Sequence, residues 1–475
     1  MTWAAVRRAG EGVPQPAPPV LLVEAEALLA TDPAAEAALA LLRRDPFRPL
    51  RRAAGLDRDP DGVGDGAAGL PDPRLLPLDP EVLRFLEAER VAGRRLVLFG
   101  RAWPGLARAL AERVGWFEGV LDPEETRPER LRGRLGGAFV LLARDRPDPS
   151  LLRSAAGLVL REDALPPPGS DLSVVARIAR SRPPFRLWLR ALRLHQWAKN
   201  LLVFVPVLLA GPLATAADYG RTLLAFLALG LLASAGYLVN DLLDLEADRR
   251  HPEKRTRPFA AGTLPLRSGI VAVPVLLAAA AALSLLLPRA FAIAAGGYLV
   301  LTLAYSLALK RVALLDVFVL GGLFSLRVLA GAEVISTPLS YWLLTFSMFF
   351  FLSLALVKRH AELDQLARRG GVALDDRGGY ATVDLPLLMA LGLATAVAAT
   401  LIFVVYLVAE QFPRAIYSRP GWLWFVFPIL LLWLVRVWRL AIHGRMSQDP
   451  VLFALTDRPS LAMAAAVLAC LLAAW

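Results

Sequence analysis

The residues best suited to chemistry lie in one run, Asn240-Asp241-Leu242-Leu243-Asp244-Leu245-Glu246-Ala247-Asp248, continued by Arg249-Arg250-His251-Pro252-Glu253-Lys254-Arg255-Thr256-Arg257-Pro258. On a helix at about 100° per residue, Asp241, Asp244 and Asp248 fall within about 60° of one another, and Glu246 points away. Three carboxylates on one face repel each other and are costly to desolvate. A divalent cation removes that cost, and Mg2+ commonly takes one or two carboxylates plus substrate phosphate oxygens. The cations that follow, Arg249, Lys254, Arg255 and Arg257, suit phosphates. The bland alternative is a basic loop whose aspartates pair with its arginines, which leaves Asn240 unexplained.

Residue scarcity directs attention to further positions. Only four of the 53 basic residues are lysine (Lys199, Lys254, Lys310, Lys358), and asparagine occurs only at Asn200 and Asn240. A coding bias toward arginine accounts for the background, so the survivors mark places where a compact ammonium or a carboxamide does what arginine or aspartate cannot. Those places include His195-Gln196-Trp197-Ala198-Lys199-Asn200, Tyr305 to Lys310-Arg311, and Lys358-Arg359-His360-Ala361-Glu362. Trp plus a snorkelling Lys is also a common interfacial anchor, and Lys358 with Glu362 is also a simple i,i+4 pair. Asp316 and Arg327, eleven residues apart, share a helix face and are expected to turn inward.

The elements that must position these groups are membrane helices. The 475 residues are 56% hydrophobic and 20% charged with a mean hydropathy of +0.51, which excludes a soluble single-domain enzyme. Apolar runs of spanning length are expected near 201–215, 221–243, 269–287, 290–309, 312–333, 340–357, 385–408, 421–438 and 460–475. Lys and Arg concentrate in the links after even-numbered spans, so the N-terminal region and the even exits are expected in the cytoplasm. The net charge of +11 is thus a topology and anionic-substrate signal rather than one for nucleic acid. Cys470 is the single cysteine, which excludes an intramolecular disulfide and a cysteine metal cluster. The histidines 195, 251, 360 and 443 are too far apart in sequence to suggest a histidine-held metal.

Ahead of the spans, residues 1–20 carry no apolar signal region. Strand-like runs at Pro19–Val23, Arg95–Phe99, Ala138–Ala143 and Gly157–Leu160 alternate with helix-like runs at Pro33–Arg43, Pro80–Arg90, Leu106–Val114 and Pro149–Ala155. That alternation suggests a small parallel α/β domain. Asp57-Arg58-Asp59-Pro60-Asp61-Gly62 opens like a calcium loop, but Ala68 stands where a bidentate glutamate is needed, so a flexible acidic loop is the better reading. The expected organisation is a flexible N-terminus (1–18), the α/β domain (19–165), a linker (166–185) and an all-α bundle of about nine membrane helices (186–475).

The pattern N-D-x-x-D-x-x-x-D after the second span resembles the UbiA superfamily of intramembrane prenyltransferases, over residues 186–475. Leu192–Asn200, Asp248–Gly262 and Lys358–Leu363 are similar to its decaprenyl-phosphate phosphoribosyltransferase-like branch. Aromatic prenyltransferases of the superfamily carry a second aspartate-rich motif near the sixth helix, where this chain has the basic run Lys358-Arg359-His360. The resemblance implies that Mg2+ on Asp241 and Asp244 holds the diphosphate of phosphoribosyl pyrophosphate. It implies that Asn240 and Asp248, with Lys199, Lys358, Arg359 and Glu362, act on the reacting groups. Arg249, Lys254, Arg255, Arg257, Lys310 and Tyr305 would bind phosphate, and a polyprenyl phosphate would be the acceptor at the inner membrane. The alternatives are prenyl transfer to an aromatic or other small acceptor, and a non-enzymatic membrane scaffold.

Residues 19–165 resemble, more weakly, a haloacid-dehalogenase-like phosphatase domain. The nucleophile motif reads Glu24-Ala25-Glu26-Ala27-Leu28, no lysine precedes Lys199, and only Asp145 and Asp148 loosely match the late acidic pair. A glutamate in the nucleophile slot is one methylene too long for in-line attack. The domain is therefore expected to be catalytically dead, a docking or regulatory module able to engage another protein.

Overall fold

The computed structural model describes residues 19–44, 72–100, 104–144, 148–162, 172–179, 183–335, 340–368, 370–371, 373–374, 379–413, 416–446 and 449–475. It divides into two compact units, Met1–Ala191 with Leu238–Ala272, and Leu192–Tyr237 with Val273–Trp475.

The first unit is built on a parallel sheet of six strands, β1 (Val20–Glu24), β2 (Leu96–Phe99), β3 (Gly119–Leu121), β4 (Phe139–Leu142), β5 (Gly157–Arg161) and β6 (Val174–Ile178), in the order β3-β2-β1-β4-β5-β6. Leu21 of the central strand aligns with Leu96 on one side and Val140 on the other. Four-residue runs such as Leu96-Val97-Leu98-Phe99 are apolar throughout because both faces of a parallel sheet are covered. Leu21, Val23, Leu98 and Val140 pack on one face with Leu86 and Leu106, and Leu22, Phe99 and Leu141 on the other with Leu131 and Leu151. The first of those layers comes from α2 (Pro80–Val91) and α3 (Pro104–Val114), the second from α4 (Pro128–Leu135) and α5 (Pro149–Ser154), with α1 (Pro33–Arg44) following β1. Asp79 and Asp148 cap the helices that start at Pro80 and Pro149, accepting backbone N–H bonds from the first turn.

All four expected strands and all four expected helices form. The expected linker 166–185 needs correcting: it contains β6, which pairs with β5 from Leu158–Val174 to Arg161–Ile178. Val174-Val175-Ala176-Arg177-Ile178 has the β-branched residues of a strand, but its Pro/Ser/Arg flanks read as a link. The short β3 also went unexpected. Residues 1–18, the Asp57–Ala68 loop and Asp145 lie outside the described residues.

Among the described residues, seven helical runs are long and apolar enough to cross a membrane. They are α6 (Ala216–Leu243), α8 (Leu266–Leu285), α9 (Arg289–Leu307), α10 (Leu315–Val334), α11 (Tyr341–Arg368), the run Thr382–Gln411 containing α12 (Leu385–Tyr406), and Pro420–Ile442 containing α13 (Val426–Ile442). The short α7 (Leu245–Arg250) follows α6. An eighth crossing arises if α14 (Pro450–Thr456) and α15 (Arg458–Ala474), bent by 82°, count as one. Nine spans were expected. The first, near 201–215, is instead a short run, Leu194–Leu209, wound as a 3-10 helix as far as Phe204 and followed by the Gly211–Leu213 turn with its proline.

Within the second unit α11 packs against α10 and α12. Gly392 on α12 lies so close to Trp438 of α13 that an added Cβ would sit 1.9 Å from the indole. The Trp438 Nε1–H donates to Ser353 Oγ (3.0 Å), which donates in turn to the Gly392 carbonyl (2.8 Å). A missing side chain thereby lets the large ring lock three helices.

Candidate active site

The carboxylate cluster belongs to the first unit. Helix α6 runs to Leu243 and is interrupted at Asp244 (φ −97°, ψ 16°) before α7 begins. Asp241 and Asp248 therefore stand on either side of a break, and both are 3% exposed. Their side chains converge on one nitrogen: Arg257 Nη1 donates to Asp241 Oδ1 at 3.2 Å and to Asp248 Oδ2 at 2.6 Å. Asp244 is less buried and lies 3.8 Å from Arg43 of α1. Burial raises the Asp248 carboxyl above the usual aspartate value, against the pull of the Arg257 guanidinium. Among the described residues no group of three or more His, Cys, Asp or Glu side chains gathers as a metal cage. The donor set still fits a hard divalent cation, because two buried carboxylates already converge on one positive charge supplied by Arg257.

The cations after α7 have different fates. Arg249, expected to bind phosphate, is 8% exposed and committed elsewhere. It forks onto Glu36 of α1 with bonds of 2.7 and 2.6 Å, and its Nε–H donates to the Ala260 carbonyl at 2.9 Å. Three N–H donors of that guanidinium are thus taken by oxygens of the protein itself. Lys254 and Arg255 sit on a 3-10 turn, Lys254–Thr256, half-buried and exposed respectively. Asn240 is half-buried near the end of α6.

The second unit holds two further polar clusters. Lys199 Nζ lies 2.7 Å from Asp449 Oδ2, and Lys358 Nζ lies 3.6 Å from the same oxygen. Asp449 caps α14 by accepting the Val451 N–H. Although burial opposes it, the two ammonium groups hold the Asp449 carboxyl down at about 2. Beside this cluster, buried Asn200 accepts from Arg327 Nε at 2.9 Å, and Arg327 also donates to Tyr298 Oη and the Leu323 carbonyl. The Asn200 Nδ2 is buried with no hydrogen-bond partner.

Asp316 is fully buried and pairs with Arg359, and it also accepts from Tyr380 Oη at 2.6 Å. Arg359 donates a further bond to Glu362 at 2.6 Å. Asp316 and Arg327 thus do turn inward, each to its own partners. Arg359, placed among the catalytic residues from sequence, is 2% exposed and ties α11 to α10. Both of its carboxylate partners come from the protein. Tyr305 and Lys310 are half-buried at the end of α9 and on the following turn.

Asp449 was missed from sequence. Two signals could have found it: an Asp-Pro pair opening an apolar run, and two rare lysines in need of a counter-charge. The same unit holds an apolar cavity of about 280 Å³, lined by residues such as Leu202, Phe346, Phe350, Phe403, Leu430 and Val467.

Apolar helices enclosing buried ionic clusters define a polytopic α-helical integral membrane protein. The chain belongs to the UbiA prenyltransferase family, whose profile matches residues 202–473, and it is accordingly a transferase. An uncharacterized protein, y4nM of Sinorhizobium fredii, is 37% identical over 404 residues, 82% of this chain and 77% of that one. That share exceeds the whole of residues 186–475, so the match extends into the α/β domain. The decaprenyl-phosphate phosphoribosyltransferase of Mycolicibacterium smegmatis is 36% identical over 219 residues, 45% of this chain and 65% of that enzyme. The structure of a UbiA homolog from Archaeoglobus fulgidus bound to GPP and Mg2+ matches at 14% identity and a TM-score of 0.46, over 60% of this chain and 99% of that one.

Proposed function

We propose that the chain moves a 5-phosphoribosyl group from phosphoribosyl pyrophosphate to a polyprenyl phosphate and releases pyrophosphate. The reaction depends on Mg2+ and takes place at the cytoplasmic side of the inner membrane. The observation that carries this reading is the meeting of Lys199 and Lys358 on Asp449. Two ammonium groups against one carboxylate leave a surplus positive charge in a mostly buried setting, which suits the phosphate of an anionic lipid acceptor. Two facts support it: the similarity to the mycolicibacterial phosphoribosyltransferase, and the basic run Lys358-Arg359-His360 where a second acidic motif would serve a prenyl diphosphate. The distribution of Lys and Arg among the links supports the orientation.

Asp241 and Asp248, with Asp244 at the intervening break, are the residues that would hold Mg2+, which when bound neutralises charge on a diphosphate leaving group. Arg257 balances the two buried carboxylates and keeps them side by side. Lys254 and Arg255 add positive charge along the same loop, and Asn240 offers a carboxamide suited to a ribose hydroxyl. Lys199 and Lys358 hold the acceptor phosphate and offset its charge. The apolar cavity suits part of an isoprenoid chain. The α/β domain fits a catalytically silent relative of the haloacid-dehalogenase phosphatases. Glu24 accepts the Arg144 N–H at 2.8 Å, and the Arg144 guanidinium donates to the Glu26 and Thr31 carbonyls.

A substrate swap tests the reading. Purified chain with Mg2+ and polyprenyl phosphate should consume phosphoribosyl pyrophosphate and leave geranylgeranyl diphosphate with an aromatic acceptor untouched. The reverse preference would make it a prenyltransferase.

A further inference from the structure

We propose that Glu36 is a positioning residue for the transfer reaction, through which the α/β domain sets the shape of the carboxylate-bearing loop. The proposal builds on the phosphoribosyl-transfer reading above. Glu36 is 2% exposed and Arg249 8%, and they meet in a two-pronged pair. Arg249 follows Asp248 directly on α7, and its third bond goes to Ala260, three residues beyond Arg257. One guanidinium thus fastens α1, the helix carrying Asp248 and the return loop carrying Arg257. A bidentate arginine–carboxylate pair fixes direction as well as distance.

Two more pairs and one close approach repeat the connection. Seven residues after Glu36, on the same face of α1, Arg43 reaches Asp244 at 3.8 Å. Asp32, which caps α1 through the Ala34 and Ala35 N–H groups, takes the Arg267 guanidinium at 2.8 and 2.9 Å. Gly262, with φ of +70°, sits where a Cβ would come within 2.8–2.9 Å of Pro77 and Ala30. The domain that lacks a working phosphatase motif therefore grips the segment from Asp244 to Arg267 at four places. Asp248 and Arg257, which brings Asp248 together with Asp241, both lie within the segment so held.

The test uses the full chain in detergent, with Glu36→Gln, Glu36→Asp and the double variant Glu36→Met/Arg249→Met. Hydrogen–deuterium exchange of residues 245–262, kcat, KM and the unfolding temperature are measured for each. Glu36→Gln should raise exchange in 245–262 while leaving Leu96–Phe99 and Phe139–Leu142 protected. It should lower kcat by about tenfold or more with little change in KM, since small misplacements of reacting groups cost rate steeply. Glu36→Asp should fall between, and the double variant should recover part of the loss because no buried charge is left unpaired. Unchanged exchange and kcat in Glu36→Gln would overturn the proposal. So would exchange raised throughout the chain in both Glu36→Gln and the double variant, which marks a merely structural contact. If Glu36→Gln does not fold, local exchange in the double variant decides. Exchange needs no substrate, so a wild-type chain inactive toward phosphoribosyl pyrophosphate would sink the functional reading and leave the positioning result standing.

Discussion

Replacing Asp449 by Asn removes the carboxylate that Lys199 and Lys358 share, at 2.7 and 3.6 Å, while keeping nearly the same shape. Burial works to raise the Asp449 carboxyl, yet the two ammonium groups and the Val451 N–H lower it to about 2 from an ordinary 3.8. A drop of nearly two pH units in a side chain that is only 15% exposed corresponds to about 2 kcal/mol of stability at neutral pH. The sign follows from the direction. A carboxylate depressed in the folded state contributes fully above its unfolded value, and its contribution disappears as pH falls from about 4 toward about 2. Unfolding of the detergent-solubilised wild type and Asp449→Asn should be followed from pH 8 downward. The variant should melt a few degrees lower, by about 4–8 °C if it behaves like a domain of about 200 residues, with a constant gap down to about pH 5 that narrows below about pH 4. Equal melting at pH 7, or a gap that persists unchanged in acid, would refute the claim that this carboxylate is held ionised by the two lysines.

Other outcomes follow from the same geometry. Asp241→Asn and Asp248→Asn should each reduce transfer by more than about tenfold in an initial-rate assay, as should chelation of Mg2+, with only the chelated wild type rescued by added metal. Asp316→Asn removes the fully buried partner of Arg359 and leaves it Glu362 alone, and should cost about 1–3 kcal/mol in denaturant unfolding. Gly392→Ala drives a methyl into Trp438 and should destabilise the bundle by about 1–3 kcal/mol, read as a lower unfolding midpoint.

Local chemistry made much of the fold legible. The short apolar runs of β1, β2, β4 and β5 read as strands covered on both faces, and prolines mark where several of the helices begin. A three-residue β3 and an edge strand flanked by Pro, Ser and Arg give no such signal. In each unit, residue types pointed to the polar centres, Asp241 and Asp248 in the first and Lys199 and Lys358 in the second, but not to their partners. Glu36 and Arg249 are 213 positions apart, and Lys199 and Asp449 are 250 apart. No periodicity connects such residues; only the folded chain does. The break at Asp244 was equally hidden, since the spacing of carboxylates reads as one continuous helix while the backbone leaves helical geometry at that residue. For Arg249 and Arg359 sequence shows the charge, but not Glu36, Asp316 and Glu362, the carboxylates they pair with.

The most direct trial of the functional account follows a radiolabelled phosphoribosyl group from its pyrophosphate donor, with Mg2+, purified chain and decaprenyl phosphate in detergent. The expected result is label in the organic phase with the wild-type chain, falling by more than about tenfold with Asp241→Ala and with Lys358→Ala while both variants remain folded. Label confined to the aqueous phase with the wild-type chain, or lipid labelling undiminished in both variants, would contradict it.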